Sequence, residues 1–215
     1  LIARTQFVGV NLPNDPISME RYGSEITIFK QASALRFRKE VLPAFKKLFA
    51  PSFKKLFSLQ EIELGTLYSS ILHELGHVYL RYRYSEQSLK DLFPIIDELA
   101  AYVAGIRVCG FLLLKDVASQ KQLESIMLAF LARCFGMVLY GKDNHANYHY
   151  MIGGVIFINY LLENEAIQET GGISWPNFTK MFFSVGELAI LLEKMLASSS
   201  RSDAESFIRK YCNLQ

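Results

Sequence analysis

Apolar residues recur every three or four positions along most of the chain from residue 31 onward, which is the period of a helix with one buried face. The clearest example runs from Leu59 to about Arg83, with apolar positions at Ile62, Leu67, Ile71, Leu75 and Val78. The same pattern predicts further helices over 89–114, 119–139, 144–164, 175–196 and 203–211. Pro94 falls near the start of the helix over 89–114, a position where proline is well tolerated.

The first 30 residues lack this period. Turn formers in NLPNDP (Asn11–Pro16) and in RYGSE predict an extended N-terminal segment with one strand, ITIF (Ile26–Phe29). From Gln31 the pattern is helical, with interruptions predicted at Pro43 and Pro51. We therefore predict a mainly α, single-domain protein over 1–215 with little β structure. Residues 1–30 form its extended segment, 59–165 its core and 175–215 its C-terminal helices.

Composition narrows the class of protein. The chain has 215 residues, of which 51% are hydrophobic and 20% charged, so a disordered protein is excluded. The net charge is +2 and no basic stripe is interleaved with aromatic residues, which argues against a nucleic-acid partner. The basic, amphipathic stretch over 36–57 is better explained as a solvated helix face than as a surface for membranes or acidic partners. The most apolar runs are broken by Arg107 or too short, so no membrane span is predicted.

The cysteines indicate a reducing compartment. Cys109, Cys134 and Cys212 are far apart and form no CxxC pair, so neither a disulfide framework nor a thiolate metal site is indicated. Because the N-terminus also has no secretory signal pattern, we predict a cytoplasmic setting.

The stretch HELGH, within the helix over 59–83, is the strongest chemical motif. His73 and His77 are four residues apart, so both imidazoles project from one helical face and can reach one zinc ion. Glu74 is rotated away by about 100° and can approach a water molecule as general base without binding the metal. On its own, the motif is as compatible with two structural histidines as with zinc.

The remainder of the chain favours zinc. The four histidines fall into two pairs with the same spacing, His73/His77 and His145/His149. A third ligand is available in IIDELAAYVAG (Ile95–Gly105), which opens the next predicted helix. Glu98 is the preferred third ligand and the adjacent Asp97 is its competitor. Small residues after Glu98 would let this helix pack closely on the HELGH helix.

Several motifs occur together in a recognisable order. NLPND, GSEITIFKQ, HELGH, ELAAYVAG and DNHANYHYMIGGVIFINYLLENEAI lie between Val8 and Ile167. Their order and spacing resemble the zinc metallopeptidase core of the dipeptidyl-peptidase III-like family, a gluzincin family, in a shortened form. The resemblance implies a helical, zincin-like catalytic lobe with one zinc ion on His73, His77 and Glu98, and Glu74 as general base. It also implies that His145 hydrogen-bonds the carbonyl oxyanion or the substrate, while His149 has a supporting or structural role.

The chain departs from the family pattern at three points. It has HExxH where dipeptidyl-peptidase III has HExxxH, and Tyr102 stands where the family usually has an aspartate. That aspartate would orient a ligand histidine, and Asp97 is the available substitute. The family's second lobe, which helps to hold the peptide, has no counterpart in these residues.

Three functions therefore stay open. The first is zinc-dependent hydrolysis of an amide bond in a peptide or peptide-like substrate. The second is zinc chemistry on a small metabolite, and the third is a degenerate peptidase fold that only binds. A second subunit or a missing lobe would complete the site, and candidate donors to a ligand in the pocket are Tyr79, Tyr82, Tyr84, Tyr148 and Tyr150.

Overall fold

A small sheet and a short helix form the N-terminal part of the fold. The computed structural model describes residues 8–13, 16–80, 82, 84–140, 148–171 and 173–212. Strand β1 (Gly9–Leu12) pairs antiparallel with β2 (Glu25–Ile28), and helix α1 (Pro16–Tyr22) lies between them in sequence. The predicted strand at Ile26–Phe29 is confirmed as β2, which begins and ends one residue earlier than predicted. The other two elements were not predicted, because a four-residue strand and a two-turn helix are too short for a clear period.

A nearly continuous helical stretch follows. Helix α2 (Lys30–Arg36) runs through a π-helical segment (Phe37–Val41) into α3 (Leu42–Leu48). The predicted interruption at Pro43 is wrong, since this proline occupies the first turn of α3 directly after the π-helical segment, where the hydrogen-bond spacing has already changed. The interruption at Pro51 is confirmed, because Phe49 and Ala50 are extended and Pro51 begins α4 (Pro51–Leu56).

Helix α5 (Leu59–Tyr79) carries the HELGH motif and starts with a reciprocal cap. The Glu61 N–H donates to Ser58 Oγ at 3.2 Å, and the Ser58 N–H donates to Glu61 Oε2 at 2.7 Å. The helix ends at Tyr79 rather than near Arg83, since Leu80 already has non-helical backbone angles (φ −89°, ψ 83°). The Tyr82 hydroxyl donates to Glu193 at 2.9 Å.

The remaining elements are mostly helices, and most of them lie close to the ranges predicted from the sequence. In chain order they are α6 (Ser85–Leu89), a 3-10 turn (Lys90–Leu92), α7 (Phe93–Leu114), α8 (Gln120–Tyr140), α9 (Tyr148–Glu163), β3 (Ile167–Thr170), β4 (Ile173–Pro176), α10 (Phe178–Ser198) and α11 (Arg201–Tyr211). The prediction that Trp175 starts a helix is wrong. This residue lies in β4, which pairs with β3, and α10 begins only after Asn177 caps it by accepting from the Lys180 N–H at 3.0 Å.

The core forms around α5, which packs against α7 and α8, while α9 and α10 cover other faces of α7. A Cβ atom at Gly76 of α5 would overlap the backbone of Ala101, and one at Gly105 of α7 would overlap the backbone of Leu72. These two contacts show that α5 and α7 run antiparallel in close approach, as the small residues after Glu98 predicted. The predicted mainly α fold class is confirmed.

One helix among the described residues, over Gln120–Leu139, is long and apolar enough to cross a bilayer. Two thirds of it (67%) is buried inside the fold, so its hydrophobicity is explained by its place in the protein core.

Candidate metal centre

The close antiparallel packing of α5 and α7 places the predicted ligands in one cluster. His73 and His77 lie one turn apart on the same face of α5, and Glu98 approaches them from the second turn of α7. His73 is buried, and the other two side chains are half-buried. The three side chains that the sequence predicted as metal ligands therefore lie next to one another in the structure.

Three atoms of this cluster form a compact triangle. His73 Nε2 lies 3.2 Å from His77 Nε2 and 3.1 Å from Glu98 Oε2, and His77 Nε2 lies 3.6 Å from Glu98 Oε2. Tetrahedral zinc with ligands at about 2.0–2.1 Å places its ligand atoms about 3.3 Å from one another. Glu98 Oε2 is also buried with no hydrogen bond to any described residue. The triangle thus has the size and the free acceptor that a zinc ion requires.

The electrostatics of the cluster favour a positive charge. Burial lowers the pKa of His73 to about 4, so its imidazole is neutral. Burial also disfavours the charged form of His77, but its contacts with Asp97 and Glu98 outweigh this and raise its pKa to about 10. Burial raises the pKa of Glu98, but the two imidazoles reverse the effect and hold this pKa well below its ordinary value. A positive charge is therefore stabilised between these groups, as expected of a metal-binding site.

Each ligand has a different partner on the side away from the triangle. Asp97 Oδ2 lies 3.1 Å from His77 Nδ1, so this carboxylate accepts from the imidazole and leaves Nε2 for the metal. The Tyr150 hydroxyl donates to Glu98 Oε1 at 2.9 Å. This geometry favours Glu98 over Asp97 as the third ligand, since Asp97 lies behind His77.

Among the described residues, no carboxylate pairs with the outer nitrogen of His73, as one usually does for a ligand histidine. Its Nδ1 is buried and makes no hydrogen bond within the described part of the chain. Instead, its ring stacks on Tyr102 with centroids 3.9 Å apart, and Tyr102 stacks in turn on Phe130 at 4.4 Å. The departure at Tyr102 therefore replaces a hydrogen bond by an aromatic contact.

A cleft of about 580 Å³ opens over the triangle. Glu74 lines it together with the ligands, and burial raises the pKa of this carboxyl above its ordinary value. The backbone of β1 lies against Glu74, since a Cβ atom at Gly9 would come within 2.6 Å of Glu74 Oε1. Asn11 in the same strand also lines the cleft, and its buried Oδ1 has no partner among the described residues. Glu74 is thus placed where a ligand in the cleft would meet it.

The tyrosines named from the sequence separate into two groups. Tyr82 and Tyr150 line the cleft, whereas Tyr79, Tyr84 and Tyr148 are exposed and do not. His149 packs on Tyr150 with ring centroids 4.3 Å apart. His145 falls within 141–147, outside the described residues, so its role stays a prediction.

Sequence reasoning missed Arg133 on α8, whose guanidinium lies over Tyr102 and Tyr150. A signal was present, because this is the only charged residue in the apolar run IMLAFLARCFGMVL (Ile126–Leu139). The contact of Gly9 with Glu74 was also missed. No sequence signal could have found it, because a short strand that contains glycine resembles any turn-rich stretch.

Comparisons with known proteins agree with this picture at the level of fold. No family model matches the chain. The structure of DPP III from Caldithrix abyssi superposes with a TM-score of 0.81 at 24% identity, covering 98% of this chain and 40% of that one. Dipeptidyl-peptidase III from Corallococcus sp. strain EGB superposes with a TM-score of 0.82 at 21% identity, covering 98% of this chain and 39% of that one. Nudix hydrolase 3 from Arabidopsis thaliana is 23% identical over 217 residues, covering 97% of this chain and 27% of that protein.

The chain therefore has a mainly helical fold similar to that of the two superposed structures, with a His/His/Glu cluster able to hold a metal. Its fold matches part of the dipeptidyl-peptidase III structures, and the chain spans about 40% of their length. The resemblance stated from the motifs is confirmed to this extent.

Proposed function

We propose that this protein is a zinc-dependent hydrolase that cleaves an amide bond in a peptide or peptide-like substrate. The observation that carries the proposal is the triangle of His73, His77 and Glu98 ligand atoms, 3.1–3.6 Å apart, in a cleft that Glu74 also lines. Zinc bound there would supply a Lewis acid that polarises the substrate carbonyl and activates water.

The chain's own residues would move the protons. Glu74 is held against the β1 backbone, and burial raises its pKa, so it is suited to accept a proton from water and later return it to the leaving amine. Asp97 would hold His77 in the tautomer that presents Nε2. His145, by resemblance, would donate a hydrogen bond to the developing oxyanion.

The substrate class draws support from the fold, since both superposed structures are dipeptidyl peptidases by name. An open cleft of about 580 Å³ would admit a short extended peptide. The buried, unpartnered Asn11 Oδ1 would accept a hydrogen bond from a peptide N–H or an amino group.

The decisive experiment combines metal analysis with a peptide-library cleavage assay read by mass spectrometry. We expect about one zinc per chain, cleavage by the unaltered protein, and a loss of about a hundredfold or more in Glu74→Gln with zinc retained. Glu63→Gln, on the same helix but outside the cleft, is the matched control and should cleave normally.

The outcomes separate the candidate functions. Equal cleavage by Glu74→Gln and the unaltered protein would refute the proposed mechanism. Stoichiometric zinc without cleavage of any peptide would favour chemistry on a small metabolite. A protein that takes up no zinc, even when zinc is added, would be a binding module instead.

A further inference from the structure

Behind the His/His/Glu cluster lies a buried arginine, Arg133, with few polar partners among the described residues. Arg133 is 5% exposed, and its Nε and Nη1 make no hydrogen bond to any residue that the structure describes. Among the described residues, Glu40 forms an ion pair with Arg133, but its Oε2 is 3.9 Å from Nε, beyond hydrogen-bonding distance. A buried, poorly paired guanidinium costs several kcal/mol of stability on general grounds. Its presence therefore needs an explanation beyond packing.

Two aromatic rings lie against the Arg133 guanidinium. Its Cζ lies 4.8 Å from the ring centre of Tyr102 and 5.5 Å from that of Tyr150. Both distances are within the range in which a cation is attracted to an aromatic ring, and this attraction is strongest where water is excluded. One guanidinium thus bridges side chains from α7 and α9.

Each of these two tyrosines holds one of the proposed zinc ligands. Tyr102 stacks on the ring of His73 at 3.9 Å, and the Tyr150 hydroxyl donates to Glu98 Oε1 at 2.9 Å. Neither His73 Nδ1 nor Glu98 Oε2 has a hydrogen bond from the described residues. The orientations of both ligands therefore depend on the tyrosines, and the tyrosines in turn contact Arg133.

We propose that Arg133 is a positioning residue, which fixes Tyr102 and Tyr150 and through them holds His73 and Glu98 in the geometry that zinc requires. This inference rests on the proposed function, in which these residues bind zinc. It assigns to an arginine and two aromatic rings the task that a carboxylate performs for His77. Asp97 acts on one ligand directly, whereas Arg133 acts on two ligands through intermediates.

Charge as well as volume is part of this role. A cation over the Tyr150 ring makes its phenol a stronger hydrogen-bond donor to Glu98. Methionine at position 133 would keep much of the side-chain volume and remove the charge, whereas lysine would keep the charge. The two substitutions therefore distinguish a positioning cation from a residue that only fills space.

The experiment measures metal binding rather than activity. Zinc affinity is determined by chelator competition, and Co²⁺ substituted for zinc gives a visible absorption spectrum that reports ligand geometry. We expect Arg133→Met to weaken zinc binding about 10- to 100-fold and to alter the Co²⁺ spectrum. Arg133→Lys should recover most of the affinity. Arg107→Met, an exposed arginine on the helix that carries Glu98, is the control and should match the unaltered protein.

The remaining outcomes are equally definite. If folded Arg133→Met binds zinc as tightly as the unaltered protein with the same Co²⁺ spectrum, or if lysine is no better than methionine, the inference is wrong while the proposed function stands. If the unaltered protein binds no zinc, both fail. If Arg133→Met does not fold, Arg133→Gln takes its place under the same criteria.

Discussion

At the scale of single residues, the three proposed ligands are supported in three different ways. A carboxylate accepts from His77, a phenol donates to Glu98, and an aromatic ring stacks on His73. A hydrogen-bonded carboxylate fixes both the tautomer and the rotation of an imidazole, whereas stacking fixes only the plane of the ring. His77 is therefore the most firmly oriented of the three.

Asp97→Ala tests the support of His77. Removing the carboxylate leaves Nδ1 without its acceptor, so we expect zinc binding to weaken about 10- to 100-fold while the fold is retained. Chelator competition measures the affinity, and circular dichroism checks the fold. An unchanged affinity would show that Asp97 does not orient His77, and the close contact at 3.1 Å would then have no role in the site.

His145→Ala tests the residue that only the resemblance identifies. If this imidazole stabilises the oxyanion, kcat for peptide cleavage should fall about 10²- to 10³-fold. Zinc content should stay at the level of the unaltered protein, because His145 is not among the proposed ligands. A variant that cleaves at the normal rate would remove His145 from the mechanism.

At the scale of helices, the site depends on how closely α5 and α7 approach. Gly76 and Gly105 allow backbone contact between the two helices beside the proposed ligands, since Gly76 precedes His77 and Gly105 meets Leu72, which precedes His73. Sequence periodicity predicted both helices, and the spacing of HELGH and Glu98 predicted that they meet. The supporting residues were not predictable in this way, because Arg133 comes from α8 and Tyr150 from α9, and no local pattern shows which face of either helix meets α7.

Gly76→Ala tests the close approach. The added methyl group would overlap the backbone of Ala101, so we expect the free energy of unfolding to fall by about 1–3 kcal/mol despite the higher helix propensity of alanine. Gly186→Ala in α10 is the matched control, since its Cβ would meet nothing within 4 Å, and it should gain up to about 1 kcal/mol. Urea unfolding measures both. Equal effects at the two positions would contradict the role assigned to Gly76.

At the scale of the whole molecule, the proposed metal site joins four helices. The ligands come from α5 and α7, and the side chains behind them come from α8 and α9. The sequence predicted the mainly α fold and the central ligands, because both follow from local spacing. It predicted only one strand of the first sheet and neither strand of the second, because four-residue strands gain their stability from tertiary contacts such as the bridge between Phe49 and Ser174.

Because the site lies within the core packing, zinc removal should destabilise the entire fold. A ligand that binds only the folded state stabilises it by about 4 kcal/mol when present at a thousand times its Kd. For a chain of this size, that corresponds to a fall in Tm of about 10 °C when zinc is removed by a chelator. Calorimetry with and without chelator measures this shift, and added zinc should restore the original Tm.

Glu98→Gln is the control for this measurement. Gln keeps the volume of the side chain but is a poor zinc ligand, so the chelator should leave the Tm of this variant almost unchanged. A chelator shift of the same size in Glu98→Gln would place the stabilising metal elsewhere in the protein. No shift in the unaltered, zinc-loaded protein would mean that the four helices are held by their apolar contacts alone, and that the site is preformed without metal.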